Sequence, residues 1–189
     1  MDTCVTYWKD LFGTIWTTAK LPSEWRHSTL VKLFKKGDAT LCNNWRGISL
    51  LSIPGKLLSH VILFRIQRHL NDYLRDEQHG FRTNLYCTDL IFTLRMLTEE
   101  SCEWRNKLYM IFIDFEMAFD SLNRQSLWKL LHHYGIPDTI VNLTMAMHED
   151  TTCCVKTAEG NSRKFSILSG VKKGCLLSPL LFAVSSSSY

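Results

Sequence analysis

Apolar side chains recur at three- and four-residue spacings from the start of the chain. Val5, Trp8, Leu11, Phe12, Ile15, Trp16 and Ala19 share one face of a helix over residues 3 to 20, and Pro22 ends it. The period then changes. Leu30, Val31, Leu33 and Phe34 make residues 28 to 34 a strand that runs into the basic turn Lys35-Lys36-Gly37-Asp38, and residues 47 to 51 form a second extended piece. Ser52 stands before Pro54 as a cap stands before a first-turn proline. Leu58, Ile62, Ile66, Leu70 and Leu74 then repeat every fourth position, which predicts a long amphipathic helix flanked by Lys56, Arg65 and Arg68. Another helix begins after Thr83 or Asn84, takes Leu90, Ile91, Leu94 and Leu97 as its apolar stripe, and ends near Glu103.

Residues 108 to 115 are apolar at every position until Asp114, the pattern of a strand covered on both sides. Asn123 is placed to cap a helix carrying Leu127, Leu130, Leu131 and Tyr134, terminated by Gly135 and Pro137, and a further helix covers residues 138 to 148. Residues 151 to 157 and 162 to 168 read as two strands of a hairpin, and Ser178-Pro179 opens a last apolar helix that runs into serines 185 to 188. With no internal repeat and no linker, the elements interleave as an α+β fold, a sheet packed on helices.

Composition narrows the class without choosing a function. Of 189 residues, 46% are hydrophobic and 12% aromatic, enough for a sizeable core. A formal net charge of +4 is compatible with a polyanionic partner but far from a histone-like footprint. The 7 cysteines show no C-x-x-C pair and no zinc spacing, which fits reduced thiols in an intracellular protein. Asp2 and Lys9 around Trp8 argue against a signal peptide, and no apolar run reaches the length of a membrane span.

The stretch from Met110 to Asp120 is the most informative for chemistry, because it puts a carboxylate at the end of an apolar strand. A buried Asp114 needs either a cation or strong donors from nearby backbone, and the residues alone leave both open. Asp120 lies ahead of the next helix as a cap would, and Glu116 faces solvent on this pattern.

This segment resembles the first palm motif of reverse transcriptases from non-LTR, LINE-type retrotransposons. Other stretches resemble that family in the same order: Trp25, Lys35-Lys36-Gly37-Asp38, Asn43 to Leu51, and Gln78-His79-Gly80-Phe81-Arg82 as fingers blocks, and Gly170 to Phe182 as the second palm motif. The resemblance spans about residues 21 to 183. It implies a right-hand polymerase fold with an antiparallel sheet packed on helices, an N-terminal helix over residues 1 to 20, fingers over 21 to 105 and a partial palm over 106 to 189, the thumb being absent.

The same resemblance assigns roles. Asp114 is the first carboxylate ligand of Mg²⁺ or Mn²⁺, with the backbone carbonyl of Phe115 beside it, and Phe119 is the ring that excludes a ribose 2′ hydroxyl. Lys36 and Arg46 grip the triphosphate, with Lys35 an alternative to Lys36, while Gly170, Lys173 and Gly174 form a flexible connection along nucleotide and template. The implied partners are an RNA template, a DNA primer and a dNTP, with no membrane and no evident protein partner.

The chain departs from the family pattern at Lys173, where the family carries glutamine, and no pair of adjacent aspartates occurs anywhere in it. One metal carboxylate does not hold two ions, so the chain is expected to be inactive in isolation. The alternative is a non-catalytic nucleic-acid-binding module derived from the same domain.

Overall fold

The computed structural model describes residues 2 to 187, apart from the side chains of Asp2 and Cys4. Helix α1 (Asp2–Thr18) and the short α2 (Ser23–Arg26) lead into β1 (His27–Phe34), and a 3-10 turn at Cys42–Asn44 precedes β2 (Trp45–Leu50). Helices α3 (Ile53–Asn71), α4 (Cys87–Glu103), α5 (Arg124–His133) and α6 (Asp138–His148) follow. The chain then forms β3 (Thr152–Thr157), β4 (Gly160–Asn161), β5 (Phe165–Ser166) and α7 (Ser178–Ser186).

The caps act as their residue types dictate. Ser52 Oγ accepts from the Gly55 N–H at 3.3 Å at the start of α3, and Asn123 Oδ1 accepts from Ser126 N–H at 3.0 Å at the start of α5. Gly135, at φ +72°, turns the chain out of α5. Asp120 is not a cap; Asn123 takes that place, for only Asn123 directly precedes the first helical residue.

The sheet is mixed, which corrects the expectation of an antiparallel one. β1 pairs antiparallel with β2, from Thr29 opposite Leu50 to Phe34 opposite Trp45, and parallel with β3, from His27 opposite Thr152 to Leu30 opposite Val155. A parallel pairing needs a long connection, and helices α3 to α6 supply it between β2 and β3. The expected hairpin exists but is short. Lys156 faces Asn161, Thr152 faces Ser166 and Cys153 faces Phe165, while Ser162 and Ile167 donate their N–H groups to Val155 O and Thr151 O, each at 2.9 Å.

A single core joins the helices. Leu58, Ile62, Ile66 and Leu70 of α3, Leu127 and Leu131 of α5, Val141 and Leu143 of α6, and Leu180, Leu181 and Val184 of α7 are all buried, with Ile15 of α1 added from one side. The four-residue repeat of α3 thus reads correctly as its core stripe, each side chain contributing about 1.5 to 3 kcal/mol on burial.

Two apolar patterns do not do what they predict. No strand of the described residues pairs with residues 108 to 115, and Ile111, Phe112 and Ile113 are 88%, 80% and 76% exposed. An extended segment becomes a covered strand only when neighbours supply its ladder and its two faces, and the sheet present here lies elsewhere. Helix α4 likewise has no buried residue, and Ile91, Leu94 and Leu97 of its stripe remain exposed. Helical periodicity reports a face able to bury itself; the partner must come from tertiary structure.

Candidate functional site

A groove of about 1040 Å³ is lined from three parts of the chain: β1 with β2 and the turn before it, residues 114 to 120, and residues 167 to 174. Asp114, Phe115, Glu116, Phe119, Asp120, Arg46, Lys173 and Gly174 all face it. The groove therefore collects most of the residues singled out from sequence, which lie up to 128 positions apart.

The β1–β2 wall is built by local hydrogen bonds. Lys35 N–H donates to Asn44 O at 2.9 Å, Asn44 Nδ2 donates to Asp38 O at 2.7 Å, and Trp45 Nε1 donates to Ala39 O at 2.8 Å. Asp38 Oδ1 accepts from both the N–H and the hydroxyl of Thr40, which holds its carboxyl below the usual range. Lys35 lines the groove, its ammonium 3.4 Å from Asn43 O, whereas Lys36 is an exposed turn residue outside the lining. Lys32 adds a cation, resting 5.0 Å above the Trp45 ring.

Residues 114 to 120 form the second wall. Asp114 is exposed to the groove rather than buried, and among the described residues no hydrogen bond or ion pair engages it. The burial argument for a partnered Asp114 therefore does not apply, because the segment before it is uncovered. Glu116 is exposed as expected, and also lines the groove. Phe119 packs its ring 5.3 Å from Phe182 and 6.4 Å from Phe81, in an aromatic cluster extended by Phe115 at 6.0 Å from Phe182. The Gln78 to Arg82 loop is internally satisfied, with Arg82 donating to the carbonyls of Arg75, Asn71 and Gln78.

The third wall is held rather than flexible. Val171 N–H donates to Phe119 O at 2.8 Å, Gly170 N–H to Leu122 O at 3.0 Å, and Ser49 N–H to Lys173 O at 2.7 Å. Gly170, at φ +70°, is buried against the neighbouring turn: a Cβ there would lie 2.5 Å from Phe119 O and 2.6 Å from Asp120 Cα. At Gly174, φ +110°, it would lie 2.5 Å from Ser49 O. Glycine is required at both places for close backbone approach as well as for conformation.

Lys173 forms an ion pair with Asp120 across the groove, the side chains 33% and 53% exposed. Lys172 beside it is buried, which pushes its ammonium down to about 8. Five cationic side chains and three carboxylates line the groove, a balance that favours anions.

Behind it, sequence reasoning overlooked Arg124. Its guanidinium donates to Gly170 O at 2.8 Å, His148 O at 2.7 Å and Ser169 O at 3.3 Å, tying the third wall to the end of α6. The signal was there: a cation in the first turn of a helix opposes the helix dipole and calls for a reason. His148 is fully buried. It donates Nδ1–H to Thr144 O at 2.8 Å, packs at a tilt with its ring centroid 5.6 Å from that of Trp128, and burial lowers its pKa to about 4. Nothing in the local sequence distinguishes it from an exposed histidine.

Residues 34 to 187 match the family model for the reverse transcriptase (RNA-dependent DNA polymerase). The chain belongs to the reverse transcriptase family. It is 29% identical over 166 residues to a transposon TX1 149 kDa protein of Xenopus laevis, covering 88% of this chain and 13% of that one. It is 27% identical over 169 residues to a Pol polyprotein from the type-1 retrotransposable element R2 of Popillia japonica, covering 86% and 23%. It is 25% identical over 183 residues to the RNA-directed DNA polymerase from mobile element jockey of Drosophila melanogaster, covering 94% and 20%. The reverse transcriptase resemblance drawn from the ordered blocks is borne out. The chain corresponds to part of that domain within much larger relatives.

Reverse transcriptases work with divalent metal ions. Among the described residues no group of three or more His, Cys, Asp or Glu side chains comes together to hold one. Asp114 offers one carboxylate, and the residues present do not fit a two-ion centre. No helix is long and apolar enough to cross a membrane.

Proposed function

We propose that this chain supplies the fingers and the first part of the palm of a reverse transcriptase, and that its groove receives the polyphosphate of an incoming nucleotide beside a template and primer. The observation that carries this reading is the convergence of Asp114, Phe119, Arg46 and Lys35 on one groove from segments distant in sequence. Arg46 is exposed on β2 with no carboxylate partner among the described residues, as a forked donor for phosphate requires. Lys35 is placed for a second phosphate contact and replaces Lys36 in that role. Phe119, braced by Phe81 and Phe182, is suited to packing against a sugar. Gly174 lets backbone approach the ligand from the opposite side. Asp114, exposed to the groove and free of hydrogen-bond and ion-pair partners among the described residues, is the carboxylate taken for a metal ion shared with phosphate oxygens, and Phe115 adds a backbone carbonyl beside it. The N-terminal helix, fingers and partial palm divide at about residues 20 and 105, as the resemblance implies.

The chain alone is proposed not to polymerise, since two ions need more carboxylate than Asp114 supplies. Calorimetric titration with a dNTP tests binding: measurable affinity in the wild type, lost in Arg46→Ala, is the expected result, and equal affinity in both sinks the assignment. Primer extension on an RNA template with Mg²⁺ or Mn²⁺ tests the second part, with dNTP-dependent products refuting it. The second reading, a binding module without catalysis, is favoured by the excess of cations in the groove. It predicts RNA or primer-template binding that weakens steeply with salt in a gel-shift assay.

A further inference from the structure

The groove holds one charged pair that a simple anion site does not need. Lys173 points its ammonium at the carboxylate of Asp120, and both side chains line the same groove as Arg46, Lys35 and Lys32. The other exposed cations there meet no carboxylate among the described residues. Asp120 itself is rigidly placed: its N–H donates to Met117 O at 2.8 Å, and its carbonyl accepts from Ser169 Oγ at 3.2 Å. Residues 169 to 171 are clamped to the same turn through Phe119 O and Leu122 O. The pair is therefore not needed to hold the two walls together, which several hydrogen bonds already do. Its cost is electrostatic. It cancels one positive charge where an anionic ligand would sit and places a carboxylate beside it.

From this geometry we infer that Asp120 is an internal competitor for the groove's anionic ligand. It holds Lys173 while the groove is empty and gives it up to a polyphosphate, so Asp120 sets affinity through Lys173 and Lys173 becomes a direct phosphate contact. The inference rests on reading the groove as a polyphosphate site. It names a positioning residue, Asp120, whose removal tightens binding, the opposite of what loss of a structural brace would do. A half-exposed ion pair of this kind contributes up to about 1 kcal/mol, so releasing Lys173 strengthens a ligand about fivefold.

The test is calorimetric titration of the full chain with inorganic tripolyphosphate at pH 7, with chelator present so that no metal contributes. Asp120→Asn, nearly isosteric, is expected to bind about fivefold more tightly than wild type, with a steeper salt dependence because the ion pair between Lys173 and the ligand no longer replaces an internal one. Asp120→Glu keeps the charge and is expected to match wild type. Lys173→Gln is expected to bind about tenfold more weakly, since it removes a cation and leaves Asp120 unneutralised against the phosphates. The double variant Lys173→Gln/Asp120→Asn recovers part of that loss. If Asp120→Asn binds no more tightly than wild type while Arg46→Ala abolishes binding, the competitor role is wrong and the polyphosphate site stands. Unchanged affinity in Lys173→Gln overturns the role independently of whether Asp120→Asn folds. Absence of binding in wild type and Asp120→Asn alike removes the polyphosphate site and the inference with it.

Discussion

Replacing Gly170 with alanine isolates the cost of the close approach that shapes the groove. Gly170 and Gly135 have nearly the same backbone conformation, φ +70° and +72°, but different surroundings. At Gly135 the nearest atom to an added Cβ is His69 Nε2, 3.7 Å away, an ordinary contact. At Gly170 the nearest are Phe119 O, Asp120 Cα and Asp120 O at 2.5, 2.6 and 2.6 Å, all of them backbone. Gly135→Ala therefore carries only the left-handed penalty for an L-residue, about 1 kcal/mol. Gly170→Ala carries the same penalty and must also push residues 169 to 171 away from the 117–122 turn. That shift stretches the bonds from Val171 to Phe119 and from Gly170 to Leu122, each contributing about 1 kcal/mol. The expected total is about 3 kcal/mol, against about 1 for Gly135→Ala. Urea denaturation followed by tryptophan fluorescence measures both as shifts in midpoint at constant slope. Equal costs for the two variants would show that the walls are not in contact as described. The same shift moves the wall that carries Lys173 away from Arg46, so Gly170→Ala is also expected to weaken tripolyphosphate binding, while Gly135→Ala leaves it unchanged.

His148 is held neutral, its pKa lowered from 6.5 to about 4, so its contribution to stability is complete above pH 6.5 and is lost as pH falls toward 4. The loss amounts to about 3 kcal/mol by the usual conversion, and a urea midpoint that is flat from pH 7 to 4, or one that is equally steep in His148→Phe, contradicts it. Lys172, lowered from 10.5 to about 8, is charged below that pH and neutral above it. Tripolyphosphate affinity is expected to fall as pH rises through 8, and a profile identical in Lys172→Met rules out this residue as the source. Ile62 is completely buried in α3, whereas Phe112 is 80% exposed. Ile62→Ala should cost about 3 kcal/mol and Phe112→Ser less than about 0.5, although hydropathy ranks both as core; a large loss in Phe112→Ser would mean that the 108–115 segment is covered.

Much of the fold was legible because the signals were local. Ser52, Pro54 and the four-residue repeat of α3 are sufficient to start and orient a helix, and Asn123 and Gly135 bracket α5 by side-chain chemistry and backbone freedom. The ordered blocks around Lys35, Arg46, Asp114 and Gly170 pointed to the family by residue type and order, and Lys35, Arg46 and Asp114 line one groove. The 108–115 segment was misread, and the stripe of α4, a helix where one was expected, stays uncovered, for a shared reason: an apolar pattern states what a segment is able to bury, and says nothing of whether a neighbour arrives. Arg124 and His148 went unseen because their partners, Gly170 and Trp128, lie far along the chain or on another helix.

The amino-acid order by itself determined the helix starts and stops, the basic turn, the core stripe of α3 and the family. These depend on neighbours within a few residues, or on residue types at ordered positions. Only the tertiary structure decided that β3 returns parallel to β1, that Lys35 rather than Lys36 faces the groove, and that Lys173 is met by Asp120. Such outcomes depend on which distant segments approach one another, and the energy of a charge or an apolar face is fixed by what stands opposite it in space.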